Sequence, residues 1–251
     1  MGLRKKLKKF FYTSKFKKKN LSINTSKKNI FITGANSGIG LALTKRLLSL
    51  DNNIIATYRE NSNKLDEIED KNLFSIKCDQ RKIKEFENLE KKLNEVSIDI
   101  IINCAGVFGP SFKEQEIENI DLDKFQEVLM INSLSVIKMI QMILNNKPPK
   151  LLINISSDAG SISQNNQGNA YIYRTSKSAL NSITKNMSLD LYNRFGTIAF
   201  VIDPGNVETG MNPGGHLKSE ECANLIINLM SSDLEKLNGR FINLLEEEIA
   251  W

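Results

Sequence analysis

Residues 33–40 read Thr33-Gly34-Ala35-Asn36-Ser37-Gly38-Ile39-Gly40 and stand between a short apolar run and a helix-length segment. Glycines let the backbone turn tightly and approach a phosphate closely, and the free N–H groups at a helix N-terminus attract anions. Three glycines alone are a weak indication, but their position after the first predicted strand and before a helix strengthens it. The spacing Gly-x-x-x-Gly-x-Gly differs from the Gly-x-Gly-x-x-Gly dinucleotide pattern. The segment predicts a strand, a turn and a helix that together bind the phosphates of a nucleotide.

Short apolar runs alternate with helix-length segments along the rest of the chain. The runs predict seven strands, at residues 30–33, 54–58, 73–77, 98–102, 151–156, 197–202 and 240–243. The segments between them predict helices, at residues 39–50, 82–95, 122–144, 173–192 and 219–230. Several runs are apolar throughout, as expected where helices cover both faces of a sheet. The alternation predicts an α/β fold, a Rossmann-type doubly wound parallel sheet, in a single domain of residues 29–251.

Residues 1–28 differ from the rest of the chain in charge. They carry eleven Lys and Arg residues and no acidic residue, whereas the whole chain has a net charge of +5, so residues 29–251 are net acidic. Without a strand pattern, this segment predicts a flexible basic tail. Apolar residues recur in it at helical spacing, at Leu3, Leu7, Phe10 and Phe11. The alternative is therefore an amphipathic segment that contacts an anionic membrane surface or nucleic acid.

Composition argues against several classes of protein. A chain with 41% hydrophobic and 25% charged residues is ordinary for a soluble domain, and no uninterrupted apolar run approaches the roughly 18 residues that span a bilayer. Three scattered cysteines, Cys78, Cys104 and Cys222, favour a reducing compartment over a disulfide framework. With His216 as the sole histidine, a zinc site and a Ser-His-Asp triad are poorly supported. We expect a cytoplasmic protein that binds no metal and meets membranes, if at all, peripherally.

Tyr173 and Lys177 are spaced for acid–base chemistry. An isolated tyrosine has a pKa of about 10 and is a poor base or acid at neutral pH. A lysine four residues later lies on the same helix face, and its ammonium stabilises the phenolate. Tyr171 is an alternative to Tyr173, but it lies six residues before Lys177 and off that face. The spacing predicts that Lys177 lowers the pKa of Tyr173 towards neutral pH.

Further motifs follow the predicted strands in the order found in the short-chain dehydrogenase/reductase family, which the chain resembles from about residue 29 to its end. The matching elements are Asp79 after the third strand, Asn103-Cys104-Ala105-Gly106 after the fourth, Asn132 in a helix, Ser156-Ser157 after the fifth, Tyr173-x-x-x-Lys177, and Pro204-Gly205-Asn206-Val207-Glu208-Thr209 after the sixth. Cys104 replaces the second Asn of the family's Asn-Asn-Ala-Gly element. The closing segments Gly239-Arg240-Phe241 and Ile249-Ala250-Trp251 resemble a narrower subgroup, the C-factor and Sniffer-like carbonyl reductases.

The resemblance implies a catalytic set of four residues. Ser157 would hold the substrate oxygen, Tyr173 would transfer a proton, Lys177 would also bind the nicotinamide ribose, and Asn132 would position a water that links Lys177 to solvent. Ser156 is the alternative to Ser157, which we prefer because the family places its catalytic serine second in such a pair. The implied cofactor-binding residues are Gly34, Ser37, Gly38, Ile39, Gly40, Tyr58, Arg59, Asp79, Asn103, Ala105, Gly106, Tyr173, Lys177, Pro204, Gly205, Val207 and Thr209.

The end of the second strand bears on the choice between NADP(H) and NAD(H). NAD enzymes usually place an acidic residue there to bind the ribose 2′-hydroxyl, but this chain has Tyr58. Arg59 follows and can bind a 2′-phosphate through charge-assisted hydrogen bonds. Glu60 could offset that charge, and Ser37 stands where NADP-preferring relatives often have a second basic residue. The pattern favours NADP(H) over NAD(H).

These inferences predict an NADP-dependent oxidoreductase that transfers a hydride between NADP(H) and a carbonyl or alcohol carbon, most simply a carbonyl reductase. Its partner would be a small-molecule carbonyl or alcohol substrate. The alternative is an NADP(H)-binding redox-sensing or signalling protein with little turnover, although a pure binder needs no general acid. Relatives in the family are usually homodimers or homotetramers, so we expect the same here.

Overall fold

The structure of the protein, a computed structural model, describes residues 25–94, 96–144 and 147–251. The described residues form seven strands: β1 (Asn29–Thr33), β2 (Asn53–Tyr58), β3 (Leu73–Lys77), β4 (Ile100–Asn103), β5 (Leu151–Ile155), β6 (Ile198–Asp203) and β7 (Phe241–Asn243). All neighbours pair in parallel, in the order β3-β2-β1-β4-β5-β6-β7. The predicted doubly wound sheet is confirmed, and each strand begins and ends within two residues of its predicted position.

The helices of the described residues are α1 (Gly38–Leu48), α2 (Asn63–Asp66), α3 (Ile83–Lys92), α4 (Leu122–Leu129), α5 (Ser135–Leu144), α6 (Tyr171–Phe195), α7 (Ser219–Leu229) and α8 (Leu234–Leu237). A π-helical turn, Met130–Leu134, joins α4 to α5, so the predicted helix at 122–144 is continuous. The helix predicted at 173–192 is longer and begins at Tyr171. With four residues each, α2 and α8 are too short to leave a helical periodicity in the sequence.

Alternate side chains of the sheet face two separate apolar cores. Ile30 and Ile32 of β1 pack into a cluster with Leu43 of α1 and Ile226 of α7. Phe31, between them in sequence, packs into a second cluster with residues of α3 and α5 on the other face. All three β1 side chains are fully buried. Because helices cover both faces, the central strands are apolar throughout, as the sequence predicts.

The chain reverses its direction of winding at β1. This strand pairs with β2 on one side and with β4 on the other, so the later strands extend the sheet in the opposite direction. In parallel sheets of this kind, ligands bind beyond the carboxyl ends of the strands next to such a switch point. Thr33, Asn103 and Asn154 lie side by side in register at that edge. The turns that leave β1, β4 and β5 therefore begin next to one another.

One segment of the described residues, Leu122–Leu144, is long and apolar enough to cross a membrane by length and composition alone. More than half of its most apolar stretch is buried inside the fold. Buried core helices of water-soluble proteins pass the same test, so this segment is weak evidence for a membrane span.

The first 24 residues, which include most of the predicted basic tail, lie outside the described residues. Lys27 and Lys28, at the end of the predicted tail, are attached to the sheet. The backbone N–H of Lys27 donates to the carbonyl of Asp51, and that of Lys28 donates to Asn52 Oδ1, at 3.0 Å in both cases. The folded part of the chain therefore begins at least two residues before the predicted boundary at residue 29.

Candidate active site

A cleft of about 1530 Å³ opens along the carboxyl edge of the sheet. Its wall combines the turns that follow the first six strands with the start of α6. The predicted site residues that line it are Ser157, Tyr173, Lys177, Gly34, Ser37, Gly38, Ile39, Gly40, Tyr58, Arg59, Asp79, Ala105, Gly106, Pro204, Gly205, Val207 and Thr209. Of the residues predicted at the site, all of which lie in the described part of the chain, Asn103 and Asn132 do not line this cleft.

The glycine turn after β1 leaves no room for a side chain at two of its glycines. Gly34 has a φ of +64°, and a Cβ there would lie 2.8 Å from the Cα of Ala105. A Cβ on Gly40 would lie 2.3 Å from the carbonyl oxygen of Gly34. The first turn of α1 contains no acidic residue, so its N-terminal N–H groups face the cleft with their positive partial charge uncompensated. This cradle fits a pyrophosphate.

The segment after β2 places a cation and an anion together at the edge of the cleft. Arg59 Nε lies 3.0 Å from Glu60 Oε1, and both side chains are at least 45% exposed. Such an exposed ion pair is worth at most about 1 kcal/mol, so a bound phosphate can compete for the guanidinium. Asn36, which sequence reasoning did not select, donates from Nδ2 to the carbonyl of Asn61 and holds this segment against the glycine turn.

Asp79, after β3, is fixed by a neighbouring arginine. Its carboxylate accepts hydrogen bonds from Arg81 Nε at 2.9 Å and Arg81 Nη2 at 2.7 Å. These bonds lower the pKa of Asp79, so the side chain is ionised at neutral pH. Arg81 also donates to Glu127 at 3.0 Å and thereby ties the β3 loop to α4. Arg81 is a site-supporting residue that the sequence motifs do not reveal.

Asn103 and Asn132 support the loop after β4. The buried Asn103 donates from Nδ2 to Asn154 Oδ1 at 2.6 Å, across the β4–β5 pair. Asn132, in the π-helical turn, accepts from the N–H of Val107 at 2.8 Å and donates to the carbonyl of Val107 and to Ser176 Oγ, both at 2.9 Å. Both side chains thus hold neighbouring structure in place. Asn132 still lies close to the site, because a Cβ on Gly106 would be 3.5 Å from both Asn132 Oδ1 and Lys177 Nζ.

The side chains of Ser157, Tyr173 and Lys177 all line the cleft. Lys177 Nζ lies 5.8 Å from the centre of the Tyr173 ring and donates to the carbonyl of Ile155 at 3.0 Å. The hydroxyl of Ser156, the alternative serine, is buried and donates to Asn181 Oδ1.

Burial controls the ionisation of both groups. It raises the pKa of Tyr173 to about 12, an effect only partly opposed by the neighbouring Ser157 side chain, and it lowers the pKa of Lys177 to about 8. The prediction that Lys177 brings the pKa of Tyr173 down towards neutral is therefore wrong for this structure. The lysine ammonium is itself buried and directed at a backbone carbonyl, and removal of the phenolate from water dominates.

Two carboxylates that the sequence motifs do not include border these residues. Ser157 Oγ donates to Asp158 Oδ1 at 2.9 Å, and Asp158 is exposed at the cleft wall. Asp203, at the end of β6, accepts from the N–H of Gly205 at 3.1 Å. Burial raises the pKa of Asp203 above the usual value for an aspartate. Both carboxylates add to the cost of ionising Tyr173.

Gln115 connects the catalytic helix to the loop after β4. This fully buried side chain accepts from the N–H of Tyr173 at 2.9 Å and donates to the carbonyls of Phe108 at 3.2 Å and Pro110 at 2.9 Å. The Phe108 ring lies 5.0 Å from the Tyr173 ring and 4.7 Å from that of Phe112. Gln115 therefore positions both the phenol and an aromatic wall beside it.

Three further residues, Tyr171, His216 and Cys104, have other surroundings. Tyr171, at the first turn of α6, is 43% exposed and does not line the cleft within the described chain. His216 likewise lies outside the cleft wall, and its N–H donates to the carbonyl of Asn206. Cys104 is half-buried and lines the cleft, and burial raises the pKa of its thiol.

Known proteins with this fold and these motifs include reductases. The chain is 27% identical over 155 residues to C-signal of Myxococcus xanthus (61% of this chain and 93% of that protein) and 29% identical over 251 residues to the oxidoreductase YKL071W of Saccharomyces cerevisiae (88% and 97%). Among solved structures, the carbonyl reductase Sniffer of D. melanogaster is 29% identical with a TM-score of 0.82, and the NADPH-bound carbonyl reductase from chicken fatty liver is 28% identical with a TM-score of 0.77. Each alignment covers 90% of this chain and all of the other.

The match to a family model agrees with these similarities. The model of the short chain dehydrogenases matches residues 28–218, which include every predicted site residue from Gly34 to Thr209. The similarity to C-signal and to Sniffer also agrees with the subgroup suggested by the closing residues of the chain. The chain belongs to the short-chain dehydrogenase family of oxidoreductases.

Proposed function

We propose that the protein is an NADPH-dependent carbonyl reductase. The observation that carries the proposal is that Ser157, Tyr173 and Lys177 line the same cleft as the glycine cradle after β1. We call the part of the cleft around Ser157 and Tyr173 its substrate end. A protein that only binds a nucleotide needs the cradle but no buried tyrosine–lysine pair. The cleft therefore has the two parts that hydride transfer requires, a place for the cofactor and a proton donor.

NADP(H) is the cofactor that the residues fit. The pyrophosphate would lie at the glycine turn, Asp79 would contact the adenine, and Arg59 would bind the 2′-phosphate once freed from Glu60. Lys177 would bind the nicotinamide ribose. The similarity to a carbonyl reductase solved with NADPH supports this choice. NAD(H) is the less favoured cofactor, because the strand end has Tyr58 where an acidic residue would bind a free 2′-hydroxyl.

Each catalytic residue has a defined task in the proposed reduction. Bound NADPH supplies the hydride. Ser157 donates a hydrogen bond to the carbonyl oxygen, and Tyr173 gives its proton to that oxygen as the alcohol forms. Because burial raises the pKa of Tyr173 to about 12, the phenol is protonated at neutral pH and suited to act as an acid. Lys177 would bind the nicotinamide ribose beside the phenol, and Asn132 positions the Val107 loop next to it.

Oxidation of NADPH and of NADH in the presence of aldehydes, ketones and quinones tests the proposal. We expect turnover with NADPH that exceeds turnover with NADH, and one alcohol formed for each NADPH oxidised. If NADPH binds tightly but no compound is reduced, the carbonyl reductase proposal fails. The alternative, an NADP(H)-binding redox-sensing or signalling protein, then takes its place.

We also propose that the basic N-terminal segment is a tail separate from the catalytic domain. Because Lys27 and Lys28 are bonded to the sheet, the appropriate deletion ends at residue 24. The shortened protein should fold and bind NADPH as before. If the tail binds anionic lipid, only the full chain should sediment with anionic vesicles, and salt should release it. Loss of folding on deletion would contradict the proposal that the tail is separate from the catalytic domain.

We also propose that the protein is a homodimer or homotetramer, and light scattering would test this.

A further inference from the structure

The substrate end of the cleft has an imbalance of charge. Asp158 and Asp203 both line it, and neither lies within salt-bridge distance of a cationic side chain in the described residues. Other charged groups of the wall are paired, such as Glu114 with Lys124 at 2.8 Å. Lys177 is buried and donates to a backbone carbonyl. A substrate that reaches Ser157 therefore meets two carboxylates that no mobile cation of the protein neutralises.

The position of Asp158 relative to the reacting group follows from one hydrogen bond. Asp158 Oδ1 accepts from Ser157 Oγ at 2.9 Å. A carbonyl oxygen that binds Ser157 lies one further hydrogen-bond length away, so it is at most about 6 Å from the carboxylate. Substituents of the reacting carbon that point towards Asp158 come within the same range. At that distance, a full charge on the substituent interacts with Asp158 strongly enough to change binding severalfold, even at the high dielectric of an exposed site.

The serine proton links this charge to catalysis. Ser157 Oγ has one proton, which it gives to Asp158, and it accepts from the N–H of Ala159 at 3.2 Å. A carbonyl oxygen can only accept, so it must take the serine proton away from the carboxylate. A cation on the substrate would occupy Asp158 and leave that proton free for the carbonyl. An anionic substituent would be repelled and would also leave the serine proton on Asp158.

An aromatic surface of the cleft suits the same kind of substrate. The Phe108 ring stands 5.0 Å from the Tyr173 ring and 4.7 Å from the Phe112 ring, and all three side chains line the cleft. Aromatic faces attract ammonium groups as well as apolar ones. An apolar ketone with an adjacent ammonium group can thus contact both the carboxylates and the aromatic rings of the cleft.

We propose that Asp158 is a specificity-determining residue, supported by Asp203, and that it makes this cleft select carbonyl compounds with a protonated amine or quaternary ammonium group next to the reacting carbon. Carbonyl compounds with a carboxylate at that position are disfavoured. The proposal rests on the proposed carbonyl reductase function and names its substrate class.

Two ketones of equal shape test the selection. Phenacyltrimethylammonium carries a cation, and 1-phenyl-3,3-dimethylbutan-1-one replaces its nitrogen with carbon. We expect kcat/KM with NADPH to be at least about threefold higher for the cation, the factor that one unit charge at about 6 Å gives in a water-like dielectric. Benzoylformate, a carboxylate next to the carbonyl, should be the poorest of the three.

Matched variants locate the source of the preference. Asp158→Asn should lower the ratio of the two kcat/KM values severalfold, to the ratio set by the intrinsic reactivity of the two ketones, whatever happens to the absolute rates. Glu114→Gln makes the same change in net charge in the same cleft, but Glu114 is already paired with Lys124, so most of the ratio should remain. A ratio that falls equally in both variants would indicate that the overall negative charge of the cleft causes the preference, and it would overturn the assignment to Asp158.

The outcome for the wild-type protein separates two kinds of failure. Reduction of both ketones with equal kcat/KM, or a preference for benzoylformate, would overturn the inference and leave the carbonyl reductase proposal intact. If none of the ketones is reduced, and the broader panel of carbonyl compounds is inert as well, the proposed function itself fails.

Discussion

Replacement of Lys177 by methionine should stabilise the cofactor-free protein at neutral pH while it abolishes turnover. Lys177 is only 5% exposed, and burial lowers its pKa from 10.5 to about 8. At about 1.4 kcal/mol per pKa unit, this shift means that the fold holds the charged lysine at a cost of about 3 kcal/mol. The lost hydrogen bond to Ile155 offsets about 1 kcal/mol of the gain. Lys177→Met should therefore raise the free energy of unfolding by about 2 kcal/mol.

The pH dependence of the difference in stability between the variant and the wild type gives a second, independent test of this prediction. Below pH 8 the lysine is charged in both the folded and the unfolded state, so the full cost is present. Between pH 8 and 10.5 the folded protein has lost the proton that the unfolded chain still binds, so the wild type becomes more stable relative to the variant as pH rises. The advantage of Lys177→Met should shrink across that interval and be largest at or below pH 7.

Urea unfolding of both proteins, freed of nucleotide and followed by fluorescence from pH 6.5 to about 10, measures the difference. Lys177→Arg is the control, because it keeps a charge at the site and should bring no gain. The reasoning would be refuted if Lys177→Met were less stable than the wild type at pH 7. It would also be refuted if the difference stayed constant up to pH 10.

Two further predictions concern the cofactor and the support of the catalytic helix. Arg59→Ala should raise the Kd for NADPH about tenfold or more and leave NADH binding unchanged, since a lost charge-assisted contact is worth about 1.5–3 kcal/mol. Glu60→Gln should do the reverse by releasing Arg59 from its ion pair, and equal losses for both cofactors on titration would contradict this assignment. Gln115→Ala removes three hydrogen bonds from a fully buried site, so it should lower the free energy of unfolding by about 2–4 kcal/mol. It should also reduce kcat, because Tyr173 and Phe108 lose the side chain that holds both of them. Urea unfolding measures the stability of this variant, and full retention of kcat would contradict the positioning role.

The sheet could be predicted from sequence because the features that indicate it lie within short segments of the chain. Apolar runs of strand length alternate with helical segments, and the glycine turn marks where the first strand ends. Gly40 illustrates why such a signal is reliable, since a Cβ there would collide with the backbone of Gly34. Residue type alone was therefore enough to predict the turn, and the alternation of strands and helices was enough to predict a doubly wound parallel sheet.

The supporting contacts of the site could not be predicted, because they join distant parts of the chain. Gln115 lies 58 positions before Tyr173, and nothing in its neighbourhood indicates that it binds the N–H of that residue. Asp158 and Asp203 are visible beside Ser157 and Pro204, but sequence does not show that no described cation lies within salt-bridge distance of either carboxylate. The pKa of Tyr173 was predicted in the wrong direction for the same reason, since its burial arises from tertiary packing.

Tyr173→Phe tests the central claim most directly, because it removes one oxygen atom and keeps the ring that packs against Phe108. The measurement is kcat for NADPH-dependent reduction of the best carbonyl substrate, together with the Kd for NADPH and with Tyr171→Phe as the matched control. We predict that kcat falls by about 10²–10⁴-fold in Tyr173→Phe, as expected for loss of a general acid, with NADPH affinity nearly unchanged and Tyr171→Phe almost fully active. Full activity in Tyr173→Phe, or an equal loss in Tyr171→Phe, would contradict the assignment of Tyr173 as the proton donor.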